Sequence, residues 1–393
     1  MINLLFWVGY TAKPWDGNTD TGLGGTDIAV INIAEGLASY GYKVTVAGQV
    51  KNSNVNGVEW IDIPNFEAKY SAMPNHFDVV IGVSYIHFIK YALDNNQNKA
   101  KFIFWMHNPD YHLWYNGAEL ENHLELLAKV NVIISPSHWA IRSIVDNILI
   151  PYGDVLHEIG TDTKATFIPN GINLSNFKAN VLKDPNKFIW SSAVDRGLSR
   201  LLMEWPRIKE IMPEATLDVY YPEYSNPHAD NSWNNIEGIQ TLLETYKDLG
   251  VTDMGSVSQS ELHMAMMKAT YWMYLTRYDE TFCITALEMM AAGVLPICSN
   301  HAALKELVVD GVVLESDEYE TMYQQAIEIL PVLNREIIQM ATNSAKERAK
   351  TYTWDIAAHM WHDLIQGQLV LNLKECIPCE EERRRTLELQ SKL

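Results

Sequence analysis

Arg277-Tyr-Asp-Glu-Thr-Phe-Cys-Ile-Thr-Ala-Leu-Glu-Met-Met-Ala-Ala-Gly293, followed at once by Val294-Leu-Pro-Ile-Cys298, predicts a helix over Glu280–Ala292 that runs into a buried strand. The stretch sets two carboxylates, Glu280 and Glu288, eight residues apart. Eight helical residues rise about 12 Å, so the two acids cannot share a proton. A two-carboxylate hydrolase pair needs its groups roughly 5 to 10 Å apart across one bond, which this spacing does not serve. It suits a long polar ligand touched at both ends, with the first helical turn offering N–H groups to an anion between them. A nucleotide sugar is such a ligand.

Working outward, the same strand-then-helix alternation fills the chain. Lys187–Ser192 reads as a strand, Leu198–Met212 as a helix and Thr216–Tyr221 as a strand. Helical periodicity recurs at Ile236–Leu249 and Ser260–Ala269, with strands at Tyr271–Thr276 and Leu295–Cys298. The first half opens with the apolar run Leu4–Gly9, a polar loop Tyr10–Gly25, a helix Asp27–Tyr40 and a strand Lys43–Ala47. Apolar runs at Asp78–Val83, Lys101–Met106, Asn131–Ser135 and Thr166–Pro169 continue it. This βαβ order predicts parallel sheets in two Rossmann-like, doubly wound domains facing each other across a cleft. The polar segment Ser175–Lys187 is the expected linker, giving domains over 1–178 and 179–352. Residues 353–373 form a helix-like segment and 374–393 a charged tail.

Composition narrows the function classes. A chain of 393 residues suits two cores rather than one. Thirty basic against 49 acidic residues, a net charge of −19, argue against nucleic acid or anionic lipid as partner. Four cysteines give no disulfide framework, and Cys283 and Cys298 fall in core elements, so a reducing, cytoplasmic setting is expected. Met1–Val8 lacks a basic leader and reads as a first strand; no apolar run nears the roughly 20 residues of a spanning helix.

Gly22-Leu23-Gly24-Gly25 precedes the first helix but fails the dinucleotide fingerprint, because it stands far from the first strand and Asp27 breaks its spacing. Its glycines still permit backbone approach to a phosphate or sugar hydroxyl; a plain surface loop is the alternative. His107 ends the run Phe102–Met106 and so stands at the carboxyl end of a parallel strand, where such sheets bind ligands. A histidine satisfied within the core is the competing reading. Arg196, in Asp195-Arg-Gly-Leu198, sits at a helix start and suits a diphosphate, unless it merely pairs with Asp195. No two aspartates are separated by one residue, so the D-x-D metal site is missing, and no zinc-spaced His or Cys cluster replaces it. Cys376-x-x-Cys379 is half a tetrahedral site. No metal and no cofactor is expected.

Together these residues resemble retaining glycosyltransferase family 4, of the glycosyltransferase type-B (GT-B) fold. The resemblance rests on Gly24-Gly25-Thr26, His107, Val132-Ile-Ile-Ser-Pro-Ser137, Ile168-Pro-Asn-Gly-Ile172 and, above all, the E-x7-E stretch Glu280 to Glu288 with Met-Met-Ala-Ala-Gly293 and Val294-Leu-Pro-Ile. It implies Glu280 near the donor's anomeric carbon, Glu288 on the ribose hydroxyls, and the backbone of Thr281, Phe282, Cys283 and Ile284 on sugar and phosphate. It implies Gly24 and Gly25 near phosphate or acceptor, and His107 on the sugar hydroxyls. Of the family's two diphosphate cations, five residues apart, Arg196 fills one position and Ser191 stands in the other; Arg277 or Arg200 are the candidate replacements. Thr281 stands where the family's usual glycine follows the first Glu. The resemblance also implies that the helix beginning at Trp354 packs back on the N-terminal domain. The expected activity is metal-independent, retaining transfer of a hexose from a GDP- or UDP-sugar to a glycan or glycoconjugate hydroxyl. A type-B-fold epimerase or phosphorylase, or a non-catalytic sugar or nucleotide binder, remains open. Acceptor recognition is expected from the loops Tyr10–Gly25 and His107–Gly117, the latter with Tyr111, Trp114 and Tyr115.

Overall fold

A computed structural model of the chain describes residues 1–10, 13–20, 22–108, 118–144, 146, 164–221, 236–316 and 318–369. The aromatics Tyr111, Trp114 and Tyr115, the loop 222–233 and the tail with Cys376 and Cys379 lie outside these. The described residues fall into two compact units: 1–19, 23–171 and 354–369 in the first, 20, 22 and 172–353 in the second.

Unit 1 begins with β1 (Asn3–Gly9), whose Leu4-Leu-Phe-Trp-Val8 is an unbroken apolar run because both faces of a parallel strand are covered. It is followed by α1 (Gly25–Ser39) and β2 (Lys43–Gly48). Then come the hairpin β3 (Ser53–Val55) and β4 (Val58–Asp62), α2 (Ile63–Tyr70), β5 (Val79–Val83), α3 (Phe88–Asp94) and β6 (Lys101–Trp105). After α4 (Ala118–Leu127), β7 (Val132–Ser135), α5 (His138–Ile144) and β8 (Lys164–Phe167) complete the run. The sheet order is β3-β4-β2-β1-β5-β6-β7-β8, parallel except at the β3–β4 pair. Its core holds Leu5, Val80, Phe88, Phe104 and Ile133.

Unit 2 repeats the scheme with β9 (Lys187–Ser191), α6 (Leu198–Ile211), β10 (Thr216–Tyr220), α7 (Ile236–Thr245), β11 (Val251–Gly255), α8 (Gln259–Lys268) and β12 (Tyr271–Tyr274). It continues through α9 (Ile284–Ala292), β13 (Leu295–Ser299), α10 (Leu304–Leu307), β14 (Val312–Leu314), α11 (Tyr319–Ile329) and α12 (Arg335–Ala349). All six strands are parallel in the order β11-β10-β9-β12-β13-β14. The order reverses between β9 and β12, and a doubly wound sheet opens its ligand crevice at the carboxyl ends of such a pair.

The last described helix, α13 (Trp354–Gln366), belongs to unit 1 and lies on α1. Gly36 of α1 faces Ala358 so closely that a Cβ on Gly36 would stand 2.6 Å from the alanine's, so only glycine admits this approach. Trp361, fully buried, packs on Trp105 (ring centroids 5.0 Å apart) and Phe6 (6.3 Å). On the rim, Tyr40 Oη meets His359 Nδ1 at 3.1 Å and Tyr42 Oη meets His362 Nδ1 at 2.9 Å.

This packing makes a stability prediction. Trp361→Ala should cost about 3 to 5 kcal/mol by leaving a cavity under β1 and β6. His359→Ala on the exposed rim should cost less than about 0.5 kcal/mol. Urea unfolding followed by circular dichroism separates the two; equal midpoints would mean that α13 contributes little to unit 1.

Candidate active site

The end of β9 and the end of β12 carry most of the sequence-predicted donor residues. Ser191 closes β9 and is buried. A short 3-10 turn, Val194–Arg196, follows, then Gly197 at φ 111°, where a Cβ would press to 3.0 Å from Leu275 O. Glycine there lets the start of α6 close onto the segment leaving β12. The Arg196 guanidinium consequently lies over the Tyr278 ring, 3.2 Å from its centroid, and its Nη1 donates to Asp195 Oδ2 at 2.9 Å. The pairing with Asp195 and the position at the crevice are therefore both present. Burial works against the arginine's charge, but Tyr278, Asp195, Glu280 and Tyr274 more than offset it and raise its pKa. Of the two candidate extra cations, Arg200 and Arg277 flank one ring, their guanidinium carbons 5.6 and 6.0 Å from the centre of Tyr319.

Glu280 lies on the loop after β12, with its backbone held at both ends: its N–H donates to Tyr278 O (2.8 Å) and its carbonyl accepts from Ala303 N (3.1 Å). The fully buried Tyr274, last residue of β12, donates its hydroxyl to Glu280 Oε1 at 2.6 Å, and the same hydroxyl meets Ser192 Oγ at 3.3 Å. Burial raises the Glu280 pKa above the usual carboxylate range; Tyr274 and Arg196 oppose that rise, and Asp195 adds to it. Beside it, Asp279 Oδ1 pairs with His301 Nε2 at 2.7 Å, tying the loop to the segment after β13.

The helix expected over Glu280–Ala292 begins later, at Ile284. Thr281 lies in the loop before it, and Phe282 is buried edge-on to Tyr352 (6.0 Å). Cys283 is the helix N-cap in a left-handed conformation, φ 70° and ψ 76°, rare for a residue with a side chain. Its thiol is pushed well above its ordinary pKa by burial and by Glu280. Starting the helix four residues past Glu280 puts the carboxylate before the helix and Glu288 on its second turn. One oxygen of Glu288 is engaged: its Oε1 pairs with His263 Nε2 of α8 at 3.2 Å, and the His263 ring stands edge-on to Phe177.

In unit 1, α1 starts at Gly25 with Gly24 as N-cap. The Gly24 N–H, expected to serve a ligand, instead donates to Asp27 Oδ2 at 3.1 Å, while Gly25 is exposed. Burial lifts the Asp27 pKa to about 6. His107, just past β6, is buried against Trp105 (4.4 Å between ring centroids), and burial pushes its pKa down to about 3. It is a neutral imidazole at physiological pH. Among the described residues no group of three or more His, Cys, Asp or Glu could hold a metal ion, and no helix is long and apolar enough to cross a membrane.

Sequence reasoning missed Tyr274, Tyr278, Asp279, His301 and His263. Tyr274 alone carried a usable signal, since it ends a parallel strand as His107 does. The others meet their partners through long-range folding.

The architecture is that of the GT-B fold. Over 93% of this chain and 99% of theirs, the coordinates superpose on sucrose-phosphate synthase from Thermosynechococcus elongatus with a TM-score of 0.70 at 16% identity. Anabaena Alr3699/HepE, solved in complex with UDP and glucose, superposes with a TM-score of 0.65 at 12% identity over 93% of this chain and all of that one (100%). In sequence, residues 247–347 match the family described as "Glycosyl transferases group 1", a span that includes Glu280 and Glu288. The chain is 21% identical over 221 residues (51% of it, 56% of the relative) to a lipopolysaccharide 1,2-N-acetylglucosaminetransferase of Salmonella typhimurium. It is 25% identical over 185 residues (44% and 45%) to a GDP-mannose:cellobiosyl-diphosphopolyprenol alpha-mannosyltransferase of Xanthomonas oryzae pv. oryzae. It thus matches about half the length of these curated relatives.

Asp27 yields a pH prediction. Its folded pKa, about 6, is raised above the ordinary 3.8, so its contribution to stability is complete below pH 3.8 and is lost as pH rises through 6. Asp27→Asn keeps an oxygen for the Gly24 N–H and removes the buried charge. Near pH 8 it should stabilise the protein, by up to about 3 kcal/mol, with the gain vanishing towards pH 4. Thermal melts of both proteins across that range check the sign; a gain that grows as pH falls would contradict it.

Proposed function

We propose that the chain is a metal-independent, retaining glycosyltransferase of family 4 that transfers a hexose from a GDP- or UDP-sugar to a hydroxyl of a glycan or glycoconjugate. The observation that carries this reading is the meeting of Arg196, Tyr278, Tyr274 and Glu280 at the reversal point of the unit 2 sheet, directly ahead of the helix that bears Glu288. The names of the relatives support it: two transfer N-acetylglucosamine or mannose, the second from GDP-mannose, and one structural neighbour holds UDP and glucose.

In this reading the diphosphate lies between Arg196 and the first turn of α9. The arginine cannot lose its proton, and the helix N-terminus adds partial positive charge where the leaving group becomes more anionic. Glu280 faces the sugar near its anomeric carbon, and Glu288 takes the ribose hydroxyls. No second carboxylate is assigned to attack the sugar, so transfer runs on one face, the departing diphosphate oxygen drawing the proton from the acceptor hydroxyl as the new glycosidic bond forms. Gly25 approaches phosphate or acceptor. His107, neutral, offers hydrogen bonds to sugar hydroxyls without adding charge.

A panel of UDP-, GDP- and ADP-sugars incubated with the protein in EDTA tests the proposal. At least one should bind and be slowly hydrolysed or transferred with its anomeric configuration kept; silence across the panel would end the reading. Glu280→Gln should lower kcat by about 100-fold or more while the donor still binds. Because burial raises the Glu280 pKa, the acid limb of the kcat profile should lie above the ordinary range of a glutamate.

A further inference from the structure

Glu280 is a loop residue, and its usefulness at a sugar depends on where its carboxylate points. One oxygen is fixed by the hydroxyl of Tyr274, 2.6 Å from Oε1. The tyrosine cannot swing away: its ring stacks on Trp272 (4.7 Å) and packs against Trp190 (5.3 Å), both fully buried. Behind it, Ser192 Oγ reaches the same hydroxyl at 3.3 Å, so serine, phenol and carboxylate form a chain from the end of β9 through the end of β12 to the loop.

We propose that Tyr274 is a positioning residue for Glu280, fixing Oε1 and turning Oε2 to the donor. The inference rests on the reading of Glu280 as the sugar-facing group. A phenylalanine would fill the same space and keep the ring stack, so the hydroxyl's task is the hydrogen bond. The charged and titratable neighbours of Glu280 are Tyr274 from β12, Arg196 and Asp195 from the turn after β9, and Cys283 from its own loop. Of these, Tyr274 and Arg196 favour the ionised form, and Asp195 disfavours it. Without the phenol hydroxyl, Arg196 alone opposes burial, and the carboxyl takes up its proton at higher pH.

The test is Tyr274→Phe in the full chain, with kcat and KM for the nucleotide sugar that the native protein turns over, measured from acidic to neutral pH. The expected result is a kcat about 10- to 100-fold lower, a donor KM within about twofold, and an acid limb moved up by about one pH unit. Native-like circular dichroism excludes unfolding as the cause. Ser192→Ala should move both readouts the same way by a smaller factor, and decides the matter should the phenylalanine variant fail to fold. A variant with unchanged kcat and pH profile, beside an active native protein, overturns the positioning role and leaves the proposed function standing. A native protein that neither binds nor turns over any nucleotide sugar overturns both.

Discussion

Two parallel strands that lie side by side but send the chain in opposite directions govern everything at this site. β9 leads on to β10 on one side of the sheet, and β12 leads on to β13 on the other, so nothing in the sheet's own winding covers the gap between their carboxyl ends. Side chains from the two exits must fill it. Here they are Arg196 from the first and Tyr278 and Glu280 from the second, held within reach because Gly197 lets α6 approach Leu275. A side chain at 197 would press on Leu275 O and would have to adopt a backbone conformation that side chains rarely take.

Packing charge into such a gap has consequences beyond position. Taken from water, a carboxylate loses several kcal/mol of hydration unless partners replace it. Asp195 and Glu280 both draw on Arg196, so two acids lean on one cation, and Tyr274 supplies part of the remainder. Removing the arginine would take a cation from both acids at once, a larger disturbance than the loss of one phosphate contact. Arg196 therefore serves the empty protein as well as any anion it meets.

Much of the architecture was legible because it follows from patterns of near neighbours. The run Leu4–Val8 and the period of Val30, Ile33, Ala34 and Leu37 identify a βαβ opening, and the strand ends locate His107, Arg196 and Ser191 on the carboxyl edges. The hairpin Ser53–Asp62 went unread although Asn56-Gly57 is its turn; β14 is only three residues long, and β11, Val251-Thr-Asp-Met-Gly255, is mostly exposed and offers no apolar run. The start of α9 was misplaced by four residues because Cys283 adopts a left-handed backbone that a cysteine does not advertise. Asp27, which in one dimension only breaks a fingerprint, caps the helix in three by accepting the Gly24 N–H. The histidine partner of Glu288 comes from another helix, where spacing cannot reveal it, whereas Tyr274 was marked only by its place at the end of a strand.

Those partners give the two acids of the E-x7-E stretch different surroundings. Glu280 sits before the helix with a phenol on one oxygen and an arginine nearby, in surroundings that raise its pKa while opposing partners restrain the rise. Glu288 sits a turn inside the helix and is held by an imidazole from α8. Different hydrogen-bond donors at either end of a helix start give the pair different orientations and different electrostatics, and no shared proton links them. Ser192, just past β9, fits the same scheme: its hydroxyl backs the phenol on Glu280. Arg196 and the serine–tyrosine chain thus both act against the effect of burial on one carboxylate.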